Sequence, residues 1–260
     1  MNAIIGVLLH NGENRMNKQI EQLTDILRRS NRIVFFGGAG VSTKSDIPDF
    51  RSANGLFSQK LNRTFTPEEL VSHTFFKRHP EDFFEFYKKH LVYPEAKPNK
   101  CHMALARLEE MGKLKAIVTQ NIDGLHQMAG SQKVFELHGS VHRNYCTACN
   151  IFYDAAFIVG SEGIPRCRAC GHVVKPDVVL YEEGLDQEIL EGAIDAISKA
   201  DTLIIGGTSL VVYPAAGLID YFKGEHLVLI NKSVTPADNR ADLVIHESID
   251  EVLNQAVSQL

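Results

Sequence analysis

No apolar run in the 260-residue chain approaches the ~18 residues needed to cross a membrane. Positive charge is not in excess either: Lys and Arg number 27 against 32 Asp and Glu, a net charge of −5. The first absence excludes a membrane-spanning helix, and the second leaves no general attraction to nucleic acid. Cysteine is scarce at five residues, four of which stand as two close pairs. That pattern excludes a disulfide-stapled secreted domain and points to a metal site plus one spare thiol. Internal repeats and low-complexity tracts are missing. What is present is a composition 44% apolar and 23% charged, ordinary for a globular protein with a sizeable core. At roughly 100–200 residues per domain, the length fits one large domain or a large one plus a small one.

The apolar stretch Ile4–Leu9 is short and has no basic residue before it, unlike a signal peptide. Residues 1–16 are expected to be an extension or disordered, and the protein is expected to be cytoplasmic. Met16 opens a helix over Asn17–Arg29, with Ile20, Leu23, Ile26 and Leu27 on one face. Buried-strand runs follow at Arg32–Phe36, Lys115–Thr119, Val134–Leu137, Thr202–Ile205, His226–Ile230 and Leu243–Ile245. Helical stretches lie at Lys100–Met111, Asp186–Lys199, Pro214–Phe222 and Ile249–Gln259. This alternation predicts an α/β fold, a Rossmann-like parallel sheet covered on both faces. Two stretches interrupt it. One, from Pro48 to about Pro98, is helical and rich in phenylalanine; the other, Asn144–Lys175, is turn-rich and holds the paired cysteines. The expected division is a large domain from 17–48, 99–143 and 176–260, with 49–98 and 144–175 forming one small inserted domain.

Cys146-x-x-Cys149 and Cys167-x-x-Cys170 are separated by 17 residues. Each pair can clamp one side of a tetrahedral Zn²⁺, and four thiolates close the shell, so a structural zinc is expected. Cys101 reads as a small buried hydrophobe. Gly38-Ala39-Gly40-Val41-Ser42 follows the first strand, where glycines let backbone approach a phosphate. The full G-x-G-x-x-G and the acidic ribose partner are both missing, so a tight turn explains the stretch equally well. Thr119-Gln120-Asn121-Ile122-Asp123 ends the next strand, and strand C-termini line the ligand crevice of an open α/β sheet. Gln, Asn and Asp together offer donors and acceptors for a carboxamide or ribose hydroxyls. His138-Gly139 ends a further strand, and an imidazole there suits proton removal from a hydroxyl. Gly207-Thr208-Ser209 and Asn231-Lys232-Ser233 bring more polar groups to the same edge.

Jointly with Ile47-Pro48-Asp49-Phe50-Arg51, these motifs make the chain resemble the sirtuin family of NAD-dependent protein lysine deacylases, of the bacterial type with a four-cysteine zinc ribbon. The resemblance covers 17–259. It implies that NAD and an acyl-lysine peptide enter a cleft between two domains. It places Ala39, Ser42 and Thr43 in the pyrophosphate loop, Arg51 on the phosphates, and Phe50 as the shield of the nicotinamide-ribose carbon. Gln120 contacts the ribose, Asn121 orders the ribose and a water, and Ile122 and Asp123 hold the carboxamide. Thr208 and Ser209 sit at the phosphates, Asn231 on the adenosine ribose, and Ser248 and Ile249 near adenine. The implied chemistry has the acyl oxygen attack the ribose carbon as nicotinamide leaves. His138 then deprotonates a ribose hydroxyl, and water releases lysine and O-acyl-ADP-ribose. The peptide is expected between Val178–Glu183 and Ser209–Tyr213, both read as extended, with Val178, Val179, Tyr181 and Leu210 in contact with it. Zinc at Cys146, Cys149, Cys167 and Cys170 stays structural.

Two departures from the family pattern stand out. Asp46 replaces a glycine, and Tyr181-Glu182-Glu183 replaces Phe-Gly-Glu; Glu182 is expected to add charge where a peptide lies. Members that take acidic acyl groups carry a Tyr and an Arg after the Phe-Arg pair. Residues 52–57 contain neither, so an uncharged acyl group is expected, with Lys60 and Arg63 the nearby cations in sequence. The alternatives are an NAD-dependent ADP-ribosyltransferase and a non-catalytic NAD or ADP-ribose sensor. Oligomeric state is not legible from the residues.

Overall fold

The computed structural model describes residues 2–52, 55–56 and 65–260, with side chains from residue 14 onward. Six parallel strands form the main sheet: β1 (Ile33–Gly37), β2 (Leu114–Thr119), β3 (Val134–Glu136), β7 (Thr202–Gly206), β8 (His226–Ile230) and β9 (Leu243–Ile245). Their order is β3-β2-β1-β7-β8-β9, so the winding direction reverses between β1 and β7. Parallel strands put every C-terminal end on one edge, and the reversal opens a crevice there. The expected strand runs therefore hold to within a residue or two.

All five residues of β1 are buried, because both faces of the sheet are covered. Ile33 and Phe35 point into one apolar cluster, Val34 and Phe36 into the other. The first cluster is roofed by α1 (Asn2–Arg29), α5 (Lys100–Glu110) and α9 (Ile249–Ser258). In α9, Ile249, Val252, Leu253, Ala256 and Val257 are buried, the spacing of one helical stripe. The second cluster lies under α8 (Gln187–Ser198) and a 3₁₀ segment, Ala215–Tyr221. Burying each large side chain contributes about 1.5–3 kcal/mol. The first helix starts at Asn2, earlier than the expected Asn17.

A third apolar cluster draws on residues 56, 70–92 and 141–180, so it reaches past both ends of the expected 144–175 stretch. It combines the short helices α2 (Pro67–Leu70), α3 (His73–Arg78) and α4 (Pro80–His90) with a three-stranded antiparallel sheet. That sheet is β4 (Gly139–Cys146), β5 (Phe152–Tyr153) and β6 (Val174–Val178), in the order β5-β4-β6, with α7 (Ala155–Gly160) after β5. Phe75, Phe76, Phe83, Phe84, Phe86 and Tyr87 are buried in this cluster, which explains the phenylalanine-rich stretch. A short helix, α6 (Leu125–Met128), links β2 to β3.

Candidate active site

The crevice is assembled from backbone first. Gly40 donates its N–H to the Gly207 carbonyl at 2.8 Å, and a Cβ on Gly40 would come 2.8 Å from that oxygen. The loop after β1 and the turn after β7 thus touch at a place where only glycine fits. Asp46 closes the loop with φ 62°, the left-handed conformation that Asp tolerates better than most residues. Thr43 donates its hydroxyl to the Gly40 carbonyl at 3.0 Å.

Three residues from two strand ends meet around one hydroxyl. Ser42 donates to the Asp123 carboxylate at 2.6 Å and accepts from the Asn121 amide at 3.0 Å. The other Asp123 oxygen accepts the Leu125 amide at 2.9 Å, tying it to the first residue of α6. Burial pushes the Asp123 carboxyl up from its ordinary pKa, against the pull of the Ser42 and Leu125 donors. Gln120 donates its amide to Thr208 at 3.0 Å, tying the end of β2 to the turn after β7.

His138 lies in the two-residue link between β3 and β4. Its Nδ1 is 3.0 Å from the Gln120 carbonyl, which can only accept, so Nδ1 carries the proton. Nε2 has no hydrogen-bond partner among the described residues and presents its lone pair. Burial lowers the His138 pKa from 6.5, which the Gln120 hydrogen bond opposes only in part. The imidazole is therefore a neutral base at neutral pH.

Other expected residues lie farther out. Phe50 and Ile122 pack against the third apolar cluster. Arg51 donates to the Tyr181 hydroxyl at 3.2 Å. Asn231 turns back to the Ser233 carbonyl at 2.7 Å, Ser248 donates to Asp250, and Ile249 is buried in the core. Ala39 opens the 3₁₀ turn Ala39–Val41, and Ser209 is exposed.

The peptide-flanking segments differ from the expectation that both are extended. Leu210 has φ 54°, and its side chain is buried in the second cluster; Val178 is buried in the third. Val179 keeps its side chain partly exposed while its N–H binds the His138 carbonyl. Tyr181 already uses both backbone groups, donating to Val71 and accepting from His73. Glu182 does not stand free: it accepts from the Thr74 amide at 2.9 Å and the Thr74 hydroxyl at 2.6 Å. Glu183 binds His73, Lys175 and the Leu180 amide. Glu182 thus holds α3 to the segment after β6, and Glu183 joins α3 to β6 itself. Of the loop expected to read the acyl group, Ser52, Gly55 and Leu56 are described and Leu56 is buried; Ala53, Asn54, Phe57, Lys60 and Arg63 lie outside the described residues.

Residues not singled out from sequence also shape the crevice. Asn99, the N-cap of α5, donates to the Val41 carbonyl at 2.8 Å and the Ser45 hydroxyl at 2.9 Å, bracing the glycine loop. The His142 ring meets the Asp123 carbonyl at 2.9 Å. Asn before a helix reads as a cap whether or not its amide reaches elsewhere, so no local signal marks it.

The four cysteine sulfurs lie within 4.8 Å of one another. That is the spacing of one tetrahedral shell with Zn–S near 2.3 Å, and four thiolates at once need a cation. The residues present therefore fit one zinc, with no coordination position for water. The Tyr153 hydroxyl lies 3.2 Å from Cys167 Sγ and draws that thiol down to about 6.

A doubly wound sheet with glycine, amide, carboxylate and imidazole groups at its reversal point, beside a four-thiol module, defines a nucleotide-binding α/β protein with a structural metal. The chain belongs to the Sir2 family, whose model matches residues 38–214. It is 70% identical over 243 residues to an NAD-dependent protein deacetylase of Clostridium perfringens, covering 93% of this chain and 100% of that protein. It is 62% identical over 240 residues to one of Clostridium acetobutylicum, covering 92% and 98%. A solved structure of Sir2 with a p53 peptide and NAD+ superposes with a TM-score of 0.81 at 40% identity, covering 92% of this chain and 98% of that one. A Sir2 variant with deacetylated p53 peptide and 3'-O-acetyl ADP-ribose gives 0.85 at 38% identity, with the same coverage.

Proposed function

We propose that the protein removes acyl groups from protein lysine at the expense of NAD, releasing nicotinamide and O-acyl-ADP-ribose. The observation that carries this reading is the His138 ring, held in one tautomer by the Gln120 carbonyl with its basic nitrogen unpartnered. NAD supplies the electrophilic ribose carbon. Around it, Gly38 to Thr43 with Thr208 and Ser209 cradle the phosphates. Arg51 adds charge to them, and Asn231, Ser248 and Ile249 frame the adenosine. Asn121, Ile122 and Asp123, braced by the Ser42 hydroxyl, fix the nicotinamide end, and Phe50 excludes water. His138 Nε2 takes the proton of a ribose hydroxyl.

The peptide lies along Val179 and Tyr181 on one side and Ser209 to Tyr213 on the other. Leu210 serves it through main chain, since its side chain is buried, while Val178, paired with Gly139 and accepting from Lys175, holds Val179 in place beside it. Leu56, Val178 and Leu180 belong to one apolar cluster, which favours an uncharged acyl group. Among the described residues no helix is long and apolar enough to cross a membrane. Four paired thiols suited to zinc support a cytoplasmic setting. The test is incubation with acetyl-, longer-acyl- and succinyl-lysine peptides, with and without NAD, and product masses as the readout.

A further inference from the structure

His138 sits where the chain leaves the six-stranded sheet for the three-stranded one. Glu136 ends β3, and β4 begins at Gly139, so only Leu137 and His138 join the two sheets. Gly139 has φ 75°, and a Cβ there would overlap the Asp177 carbonyl oxygen, so this joint is tightly shaped. Arg143, on β4, spans it. Its Nη1 binds Glu136 at 2.6 Å, and its Nε binds Asp177 on β6 at 2.8 Å. The Glu136 side chain is 7% exposed and Asp177 43%, so the guanidinium ties a buried carboxylate on one sheet to a half-exposed one on the other. Val179, two residues beyond Asp177, donates its N–H to the His138 carbonyl. One guanidinium therefore grips the segment before His138 and the strand that holds His138 from the far side.

We propose that Arg143 is a positioning residue for deacylation, fixing the His138 imidazole by tying Glu136 to Asp177 across the link between the sheets. Arg143 does not touch the reacting atoms. It acts on the angle at which β4 leaves β3, and so on the reach of His138 Nε2. Its planar fork can hold two carboxylates at once, which a lysine ammonium cannot do with the same geometry. The proposal rests on the reading of His138 as the base.

Arg143→Met is expected to lower kcat on the order of 10–100-fold, the cost of a misplaced catalytic group. KM for NAD and the zinc content should stay near wild type. This variant leaves Glu136 buried and unpaired and can fail for that reason alone, so the double variant Glu136→Gln/Arg143→Met is measured beside it. The double variant leaves no buried charge unpaired, since Asp177 is 43% exposed, but still lacks the tie, and its kcat should remain low. Wild-type kcat in either variant overturns the positioning role, as does a fall in kcat matched by loss of zinc or a rise in KM for NAD. His138→Ala, run in parallel, separates the two levels. Turnover surviving in that variant removes the base assignment and this proposal with it, whereas normal turnover in the Arg143 variants removes only the proposal.

Discussion

Gln120 decides with its main-chain carbonyl which nitrogen of His138 carries the proton, and that contact gives two expectations. A positioned base contributes ~10²–10⁴-fold, so His138→Ala should lower product formation by that order while NAD still binds. Product formation and NAD affinity by calorimetry check the two halves separately. The second expectation concerns pH. Burial lowers the His138 pKa from 6.5, so the active, neutral form persists as pH falls through 6.5 and is lost only below it. The acid limb of kcat/KM should therefore lie below that of a free imidazole. A limb at or above 6.5 would contradict the environment described for this ring.

At the scale of elements, α5 and α6 meet through a pair of buried rings. His102 and His126 lie with ring centroids 4.8 Å apart. Both His126 nitrogens and His102 Nε2 are buried without partners. Burial lowers the His102 pKa to about 4 and that of His126 well below 6.5. Both rings are neutral in the fold, while the unfolded chain takes up protons near 6.5. Their contribution to stability is complete above that value and is lost as pH falls from about 6.5 toward 4. A melting temperature that drops over this range checks the sign, and His126→Leu should flatten the drop if the core accepts it. The zinc module gives a prediction of its own. Its core includes Cys146 and Cys167, so removing the metal with a chelator should unfold β4 to β6 and abolish activity, with the main sheet retained. Circular dichroism with metal analysis reads both effects. In the main sheet, Phe35→Ala removes a fully buried ring and should cost about 3–5 kcal/mol by denaturant unfolding.

For the molecule as a whole, what was legible in the sequence is what depends on local pattern. Apolar runs such as Ile33–Phe36 and Leu227–Ile230 mark strands buried on both faces. Parallel pairing then puts Gly38, Asn121, His138, Thr208 and Asn231 at one edge without further information. Paired cysteines fix a metal shell by spacing, and Asp46, standing at a family glycine, takes a left-handed conformation that its short polar side chain tolerates. What was not legible depends on contacts between residues far apart in the chain. Glu182 looks free until Thr74 is placed against it, and Tyr181 looks available for pairing until Val71 and His73 take its backbone. Leu210 reads as extended because nothing in Ser-Leu-Val-Val announces a positive φ. Nothing in the sequence singles out Asn99 or Arg143, and only the fold brings them to Val41 and Glu136.

The central claim is that this one crevice couples NAD cleavage to removal of an uncharged acyl group from lysine. The measurement that tests it most directly is mass analysis of a reaction of the purified protein with an acetyl-lysine peptide, with and without NAD, and with a succinyl-lysine peptide alongside. The account predicts deacetylated peptide, nicotinamide and O-acetyl-ADP-ribose in equal amounts, only when NAD is present, with succinyl-lysine processed far more slowly. Deacetylation without NAD, ADP-ribose transferred to protein with the acetyl group untouched, or succinyl-lysine turned over as well as acetyl-lysine would contradict it.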